Sequence, residues 1–325
     1  MKLVFRCWLG VFYLTWAIWI VASDQLMVVA SHWPIACSMA LGSFFAGSTP
    51  MGGGSIGFPV LVLWMQEASS LGRDFSFAIQ SIGMVSASLY ILSMRQPLQW
   101  RLLRGAMLGT LVGTPLGLLY LSPLIPSLWV KVVFSVLWGA FGIFHLIRLS
   151  SLAAAASGDN LKRAAERETG FVLGLIGGGT VAALTGVGVD MLIYMVMILW
   201  LRTDLRVAIP TSVLLMAMTS VIGLATQWLM GELDHAIWPH WSAAAPVVAI
   251  GAPLGAWSVS KIKRSSAIGI VSMLCVLQFA WLLFSQAGQL GRWGLLIVLL
   301  SLVALVWCYL MLYGRWQPPK KNDLL

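Results

Sequence analysis

Charge is scarce in this chain. Only 10% of its 325 residues are charged, against 59% hydrophobic, and the mean hydropathy is +0.90. So few charges cannot cover the surface of a soluble protein of this size. Cysteine is scarce too. Cys7, Cys37, Cys275 and Cys308 stand far apart, with no CxxC among them; this argues against a thiolate metal site or redox pair and leaves small apolar packing residues. His32, His145, His235 and His240 show no ligand spacing, and neither HExxH nor GxxxxGK[ST] occurs. Zincin chemistry and direct drive by ATP are therefore not expected, and no cofactor or metal is implied. The net charge is +9, but no basic block with interleaved aromatics accompanies it, so nucleic acid is not an expected partner.

What is present is a series of apolar runs close to ~20 residues, the length that crosses a ~30 Å hydrocarbon layer. The reading is an all-α polytopic membrane protein with the lipid bilayer as its main surroundings. Candidate spans are roughly 5–22, 75–94, 102–121, 128–148, 206–230, 240–260, 265–286 and 293–314. The first run follows Lys2 and Arg6 and ends in Val21-Ala22-Ser23, the outline of a signal peptide. Its length and Trp8, Trp16 and Trp19 favour a retained helix.

The chain repeats itself. "MGGGSIGFPVLVLW", ending at Trp64, aligns without gaps on "VGVDMLIYMVMILW", ending at Trp200, so that Gly52 falls on Gly188 and Gly54 on Asp190. "DFSFAIQS" from Asp74 matches "DLRVAIPT" from Asp204, and "GTPLG" from Gly113 matches "GAPLG" from Gly251. The offsets of 136, 130 and 138 keep one order and differ only by loop lengths. Such duplication points to transporter architecture. It divides the chain into an N-terminal membrane repeat (1–149), a polar cytoplasmic linker (150–169) and a C-terminal membrane repeat (170–325).

Basic residues set the orientation. If 34–64 and 170–200 are hairpins that enter and leave on one side, 17 of the 20 Lys and Arg are cytoplasmic, leaving Arg73, Lys131 and Arg292 outside; if each segment crosses once, the split falls to 12 against 8. The positive-inside rule selects the hairpins and puts both termini in the cytoplasm, most simply of a bacterial inner membrane. The halves then become inverted copies, each a Gly-rich re-entrant hairpin with three following spans, plus extra terminal spans. Arms of about 15 residues reach ~22 Å, past mid-bilayer. The glycines are expected at the tips, where the chain reverses through backbone angles other residues resist. Helix N-termini facing the tips are ready anion sites.

The stretches "GSTPMGGGSIGFPVL" and "LTGVGVDMLIYMV", with "AIPTSVLLMAMTS" and the paired GTPLG and GAPLG, resemble the sulfite exporter TauE/SafE family of anion transporters, over residues 34–285. The resemblance implies a multi-pass permease for sulfite, sulfonates or small organic anions, acting in export. The second half departs from the pattern: Val189-Asp190 replaces two glycines, and Met195 stands where Pro59 stands in the first half.

The candidate substrate-binding residues are Ser48, Thr49, Gly52, Gly53, Gly54 and Ser55 at the first tip and Thr185, Gly186 and Gly188 at the second. Gln80, Thr211 and Ser212 follow on the next spans. The hydroxyls could equally satisfy the broken backbone locally, and the last three could pack on a neighbouring helix. Asp190 has two readings, a proton carrier coupled to the substrate or a cap on the helix that follows. Pro115 and Pro253 read as kink and close-packing devices, Asp204 as a helix cap, and His145 as a snorkelling side chain near a span end. No catalytic residues are expected. A secondary transporter of a small anion is the leading reading. The alternative is an anion channel; an intramembrane enzyme and a membrane scaffold rank below it.

Overall fold

The computed structural model describes residues 2–154, 166–258 and 264–315. These residues are almost entirely helical, with no strand among them. Helix α1 (Lys2–Ala22) leads through the short α2 (Leu26–Ser31) to α3 (Trp33–Ser48). The chain is then non-helical until α4 (Gly54–Pro59), which continues as a π-turn over Val60–Trp64. Next come α5 (Ser69–Ser93), α6 (Trp100–Leu116, with a π-turn to Leu121) and α7 (Ser127–Ala154). The second half repeats this plan. Helix α8 (Glu166–Gly177) passes through a π-turn at Gly178–Ala182 into α9 (Ala183–Thr185); a break follows, then α10 (Val189–Leu199), α11 (Leu205–Met230), α12 (Ile237–Ser258) and α13 (Arg264–Arg315).

Seven of these helices are long and apolar enough to cross a membrane. One is the long α13, which breaks at Gly291, where φ is 61°. Leu149 of α7 lies against Gly269, while Phe144 of the same helix meets Tyr309 and Tyr313 beyond the break. Both limbs of α13 thus lie along α7; they are two helices joined at the non-helical Gly291, in the places of the last two expected spans. The continuous helix Glu166–Thr185 has 20 residues, about 30 Å, so this arm is longer than the ~15 residues expected. The expected cap at the start of α11 is present: the Asp204 carboxylate accepts the Arg206 N–H at 2.7 Å. Helices α7 and α8 run past the edges of the expected linker, to Ala154 and from Glu166; its interior, with Lys162 and Arg163, lies outside the described residues, as do Lys261, Lys263, Lys320 and Lys321.

Close packing decides the helix arrangement. A Cβ on Gly105, Gly109, Gly113 or Gly117 of α6 would lie 2.0–2.3 Å from the carbonyl oxygens of Arg167, Phe171, Leu175 and Gly179 respectively. From the other side, a Cβ on Gly170 or Gly174 would lie 2.2 or 2.1 Å from the carbonyl oxygens of Leu102 and Ala106 respectively. The partner numbers rise together, so α6 and α8 run parallel with their backbones in contact, a small-residue seam of the kind that joins membrane helices. The counterpart seam joins α3 to α12: a Cβ on Gly47 would lie 1.9 Å from the Ala252 carbonyl oxygen and one on Gly255 2.0 Å from that of Phe44. The glycines of GTPLG therefore hold the first arm of the second half, and those of GAPLG hold the first arm of the first. Helices α5 and α11 pack on each other between the seams, and α7 and α13 pack on each other. Helix α1 is tied on by hydrogen bonds from Trp8 to Ser86 and from Tyr13 and Trp16 to carbonyls of α12.

Candidate functional site

The two backbone breaks meet. A Cβ on Gly54 would lie 2.1 Å from Val187 Cγ1, and one on Gly52 would lie 3.0 Å from Asp190 Oδ2. Helix α5 stands beside both breaks. Its Ser76 Cβ comes within 2.8 Å of the Cβ position of Gly54 and of Gly186 alike. Gln80 of α5 donates from Nε2 to its own helix at Ser76 O and across to Gly186 O, both at 2.9 Å. Helix α7 closes another side with a column of rings. Phe58 stacks on Phe134 at 4.7 Å, Phe134 on Trp138 at 4.2 Å, and the Trp138 ring edge would touch a Cβ on Gly188 at 2.6 Å.

The glycines at the two breaks serve different ends. Gly186 and Gly188 have φ of 75° and 99°, the left-handed region that a side chain disfavours, as expected for a reversing chain. None of Gly52, Gly53 and Gly54 lies in that region. The first triplet is there for close approach, and only in part. Gly52 would place a Cβ 2.1 Å from Gln80 Oε1 and Gly54 is crowded by Val187, whereas the nearest neighbour of Gly53 is 3.6 Å away. The conformational reason expected for Gly52–Gly54 is thus replaced by a packing reason.

Most of the candidate hydroxyls spend their protons locally. Ser48 donates to Phe44 O at 2.9 Å and Thr49 to Phe45 O at 2.6 Å. Thr185 bonds Val181 O at 2.8 Å and also accepts the Val187 N–H, bridging the second break. Ser212 donates to Ile209 O. Thr211 takes the Gln99 N–H at 3.0 Å, at the start of α6 and away from the breaks. The structure therefore brings together Gly52, Gly54, Ser55, Gln80, Gly186, Gly188 and Asp190, and gives Ser48, Thr49, Thr185, Thr211 and Ser212 backbone partners.

Three buried polar atoms here have no hydrogen-bond partner: Ser55 Oγ, Gln80 Oε1 and Asp190 Oδ2. Asp190 divides its carboxylate. Oδ1 accepts the Gly188 and Met191 N–H groups at 3.2 and 3.0 Å, so it ties the start of α10, while Oδ2 turns to the Gly52 backbone and has no side-chain partner. A cavity of about 10 Å³ opens beside Gly53 and Gln80, against Ser43 and the α12 residues Val248 and Ala252. That is room for about one water molecule.

Phe58, Phe134, Trp138, Ser76 and Val187 complete the junction; the α7 rings Phe134 and Trp138 lie outside every repeated stretch, and Phe58, Ser76 and Val187 lie inside one without being singled out by it. Phe134 and Trp138, four residues apart, form an aromatic pair on one helix face, but nothing in that spacing says which neighbour it meets. His145 is fully buried rather than snorkelling. Its Nδ1 bonds Phe141 O at 2.9 Å and its Nε2 faces the Tyr194 hydroxyl at 3.3 Å. A carbonyl only accepts, so Nδ1 carries the proton and Nε2 accepts from Tyr194.

A polytopic helical membrane protein with two broken helices meeting at a buried polar junction has the form of a membrane permease. The family model described as Sulfite exporter TauE/SafE matches residues 34–282, well over half of the chain and including both breaks. The chain belongs to that family. Searches of curated proteins and of solved structures gave no match.

Proposed function

We propose that this protein is a secondary transporter of a small anion, sulfite or a sulfonate or another small organic anion, with a proton as coupling ion. The meeting of the two broken helices carries this reading. Helices α4 and α10 both start beside one buried junction, and helix N-termini favour negative charge. The family's transport of sulfite agrees with it. Asp190 is placed to couple the anion to a proton. Neutral, it tolerates an anion at its side; ionised, it repels one.

In this reading the halves are inverted repeats, 34–64 and 170–200 are re-entrant hairpins, and both termini lie in the cytoplasm of a bacterial inner membrane. The exchanged glycine seams support the repeat, since the two halves hold each other's first arm in the same way. Single cysteines in a Cys-free background test the orientation. A cysteine at Ser70 or Gly288 is expected to react with an impermeant reagent from the periplasmic side, and one at Ser157 only after the membrane is opened. Periplasmic labelling at Ser157 refutes the arrangement.

The coupling is tested by uptake of sulfite and methanesulfonate into proteoliposomes at varied pH. Parent flux is expected to fall as pH rises through a midpoint, because the ionised carboxylate repels the anion. Asp190→Asn keeps the shape and a capping oxygen but cannot ionise, so its flux should be flat across the same range. Parallel profiles for the two forms remove Asp190 as the proton carrier and leave it a cap.

A further inference from the structure

By its place in the sequence Gln80 is a candidate substrate ligand, and its hydrogen bonds point elsewhere. Both protons of its amide nitrogen are committed, one to Ser76 O and one to Gly186 O, each at 2.9 Å. Both partners are carbonyls that can only accept. Turning the amide over would set its oxygen against two carbonyl oxygens, so the orientation is fixed. Oε1 is left facing Gly52 without a partner. Asp190 Oδ2 has no side-chain partner and only the Gly52 backbone N–H beside it, and both oxygens lie within 3.0 Å of the place a Gly52 Cβ would take. Both side chains are 1% exposed. Two acceptor oxygens that converge on one buried point and receive no side-chain donor make no site for an anion. They make a site for positive charge between them.

We propose that Asp190 and Gln80 form a proton seat, in which the neutral Asp190 carboxyl donates its Oδ2 proton to Gln80 Oε1, and that Gln80 is the positioning residue that sets how tightly the proton is held. This rests on the proton-coupled reading above and names the second partner in it. The step is a simple transfer: Oδ2 gains a proton from water on loading and returns it on release, and no other bond changes. Gly52 is glycine because any side chain would fill the seat. Among the other ionisable groups on the buried stretches of the surrounding helices, His240 of α12 stands edge-on to His32 and Phe75 with Nδ1 unbonded, and several others have partners of their own. Arg73 and Asp74 of α5 pair with each other at 2.8 Å. His145 of α7 faces Tyr194 of α10. Cys275 of α13 lies against Met51 at 3.5 Å, and Glu166 of α8 takes a hydrogen bond from Gln99.

The test uses two substitutions of opposite sign. Gln80→Leu removes the acceptor that stabilises the neutral acid. The pH midpoint of sulfite flux should fall by about one unit, the worth of one hydrogen bond. Gln80→Glu puts a second carboxylate beside the first, and like charges share a proton more tightly; the midpoint should rise by about one unit or more. Thermal unfolding of the purified protein against pH, without substrate, gives a second readout that needs no transport. Its pH-dependent component should move the same two ways and vanish in Asp190→Asn. If Gln80→Leu does not fold, Gln80→Met and Gln80→Glu carry the comparison. If Asp190→Asn abolishes the midpoint but both Gln80 variants leave it in place, the seat is wrong and proton coupling through Asp190 stands. If Asp190→Asn keeps the parent's midpoint, the coupling reading fails first. A sodium requirement at fixed pH that disappears in Asp190→Asn would overturn the proton seat in favour of a metal cation.

Discussion

Gly54→Ala should abolish sulfite flux while Gly53→Ala, one residue away, leaves it within about twofold. The new methyl at position 54 would meet Val187 Cγ1 at 2.1 Å, Ser76 Cβ at 2.8 Å and Gln80 Nε2 at 2.9 Å. Val187 belongs to the opposite break and Ser76 to a helix that both breaks use, so relief requires the breaks to separate. A shift of about 1 Å at a binding centre costs on the order of 10²-fold in rate. At position 53 the nearest atoms are the Met39 methyl at 3.6 Å and the Ala46 Cβ at 3.8 Å, which is ordinary contact. Both variants should reach the membrane at the parent's level, because the seams that hold the helices are untouched. The measurement is proteoliposome flux normalised to folded protein by size-exclusion recovery. Equal loss at 53 and 54 would mean that the triplet acts through chain flexibility, and equal retention that the junction does not carry the substrate.

The second large effect concerns folding. Gly109→Leu or Gly174→Leu should leave little folded protein. Each puts a side chain where a backbone carbonyl of the partner helix stands, at 2.1 Å from Phe171 O and Ala106 O respectively. Overpacking in a rigid core costs about 1–3 kcal/mol or more, and here the obstacle is main chain, which cannot turn aside. Recovery of monodisperse protein and its melting temperature should both drop. Gly10→Leu is the control. Nothing lies within 4 Å of that position, so a change within about 0.5 kcal/mol is expected. If Gly174→Leu melts like the parent, α6 and α8 do not share the contact described. The counterpart substitution Gly255→Leu, against Phe44 O at 2.0 Å, should behave like Gly174→Leu if the two halves are equivalent.

Much of the architecture was legible before any coordinates. Low charge and long apolar runs are properties of composition, and they fix the membrane class because an unpaired charge or backbone group has nowhere to go in hydrocarbon. Gly52–Gly54 and Gly186–Gly188 marked the two breaks, since a helix interior resists glycine and a break invites it. The alignment of GTPLG on GAPLG was also readable. What those glycines touch was not, because the partner arms lie more than 60 residues away in one case and about 200 in the other.

The candidate site divides along the same line. Sequence pattern placed Asp190, Gly52 and Gln80 near the breaks, because each sits at a fixed distance from a glycine cluster. It could not tell Gln80 from Thr211, which occupies a similar place in its own half. Only the fold decides that Gln80 spends both amide protons on carbonyls and turns an oxygen inward, while Thr211 ties the start of α6. Likewise His145 is ambiguous by position, and only its packing between Phe141 and Tyr194 makes it a buried, partnered ring. The amino-acid sequence by itself determined the membrane class, the duplication and the places where helices must break, because these follow from local chemistry repeated along the chain. Tertiary structure alone decided which half grips which arm, why each glycine is required and which polar atoms remain free, because those depend on contacts between residues far apart in sequence.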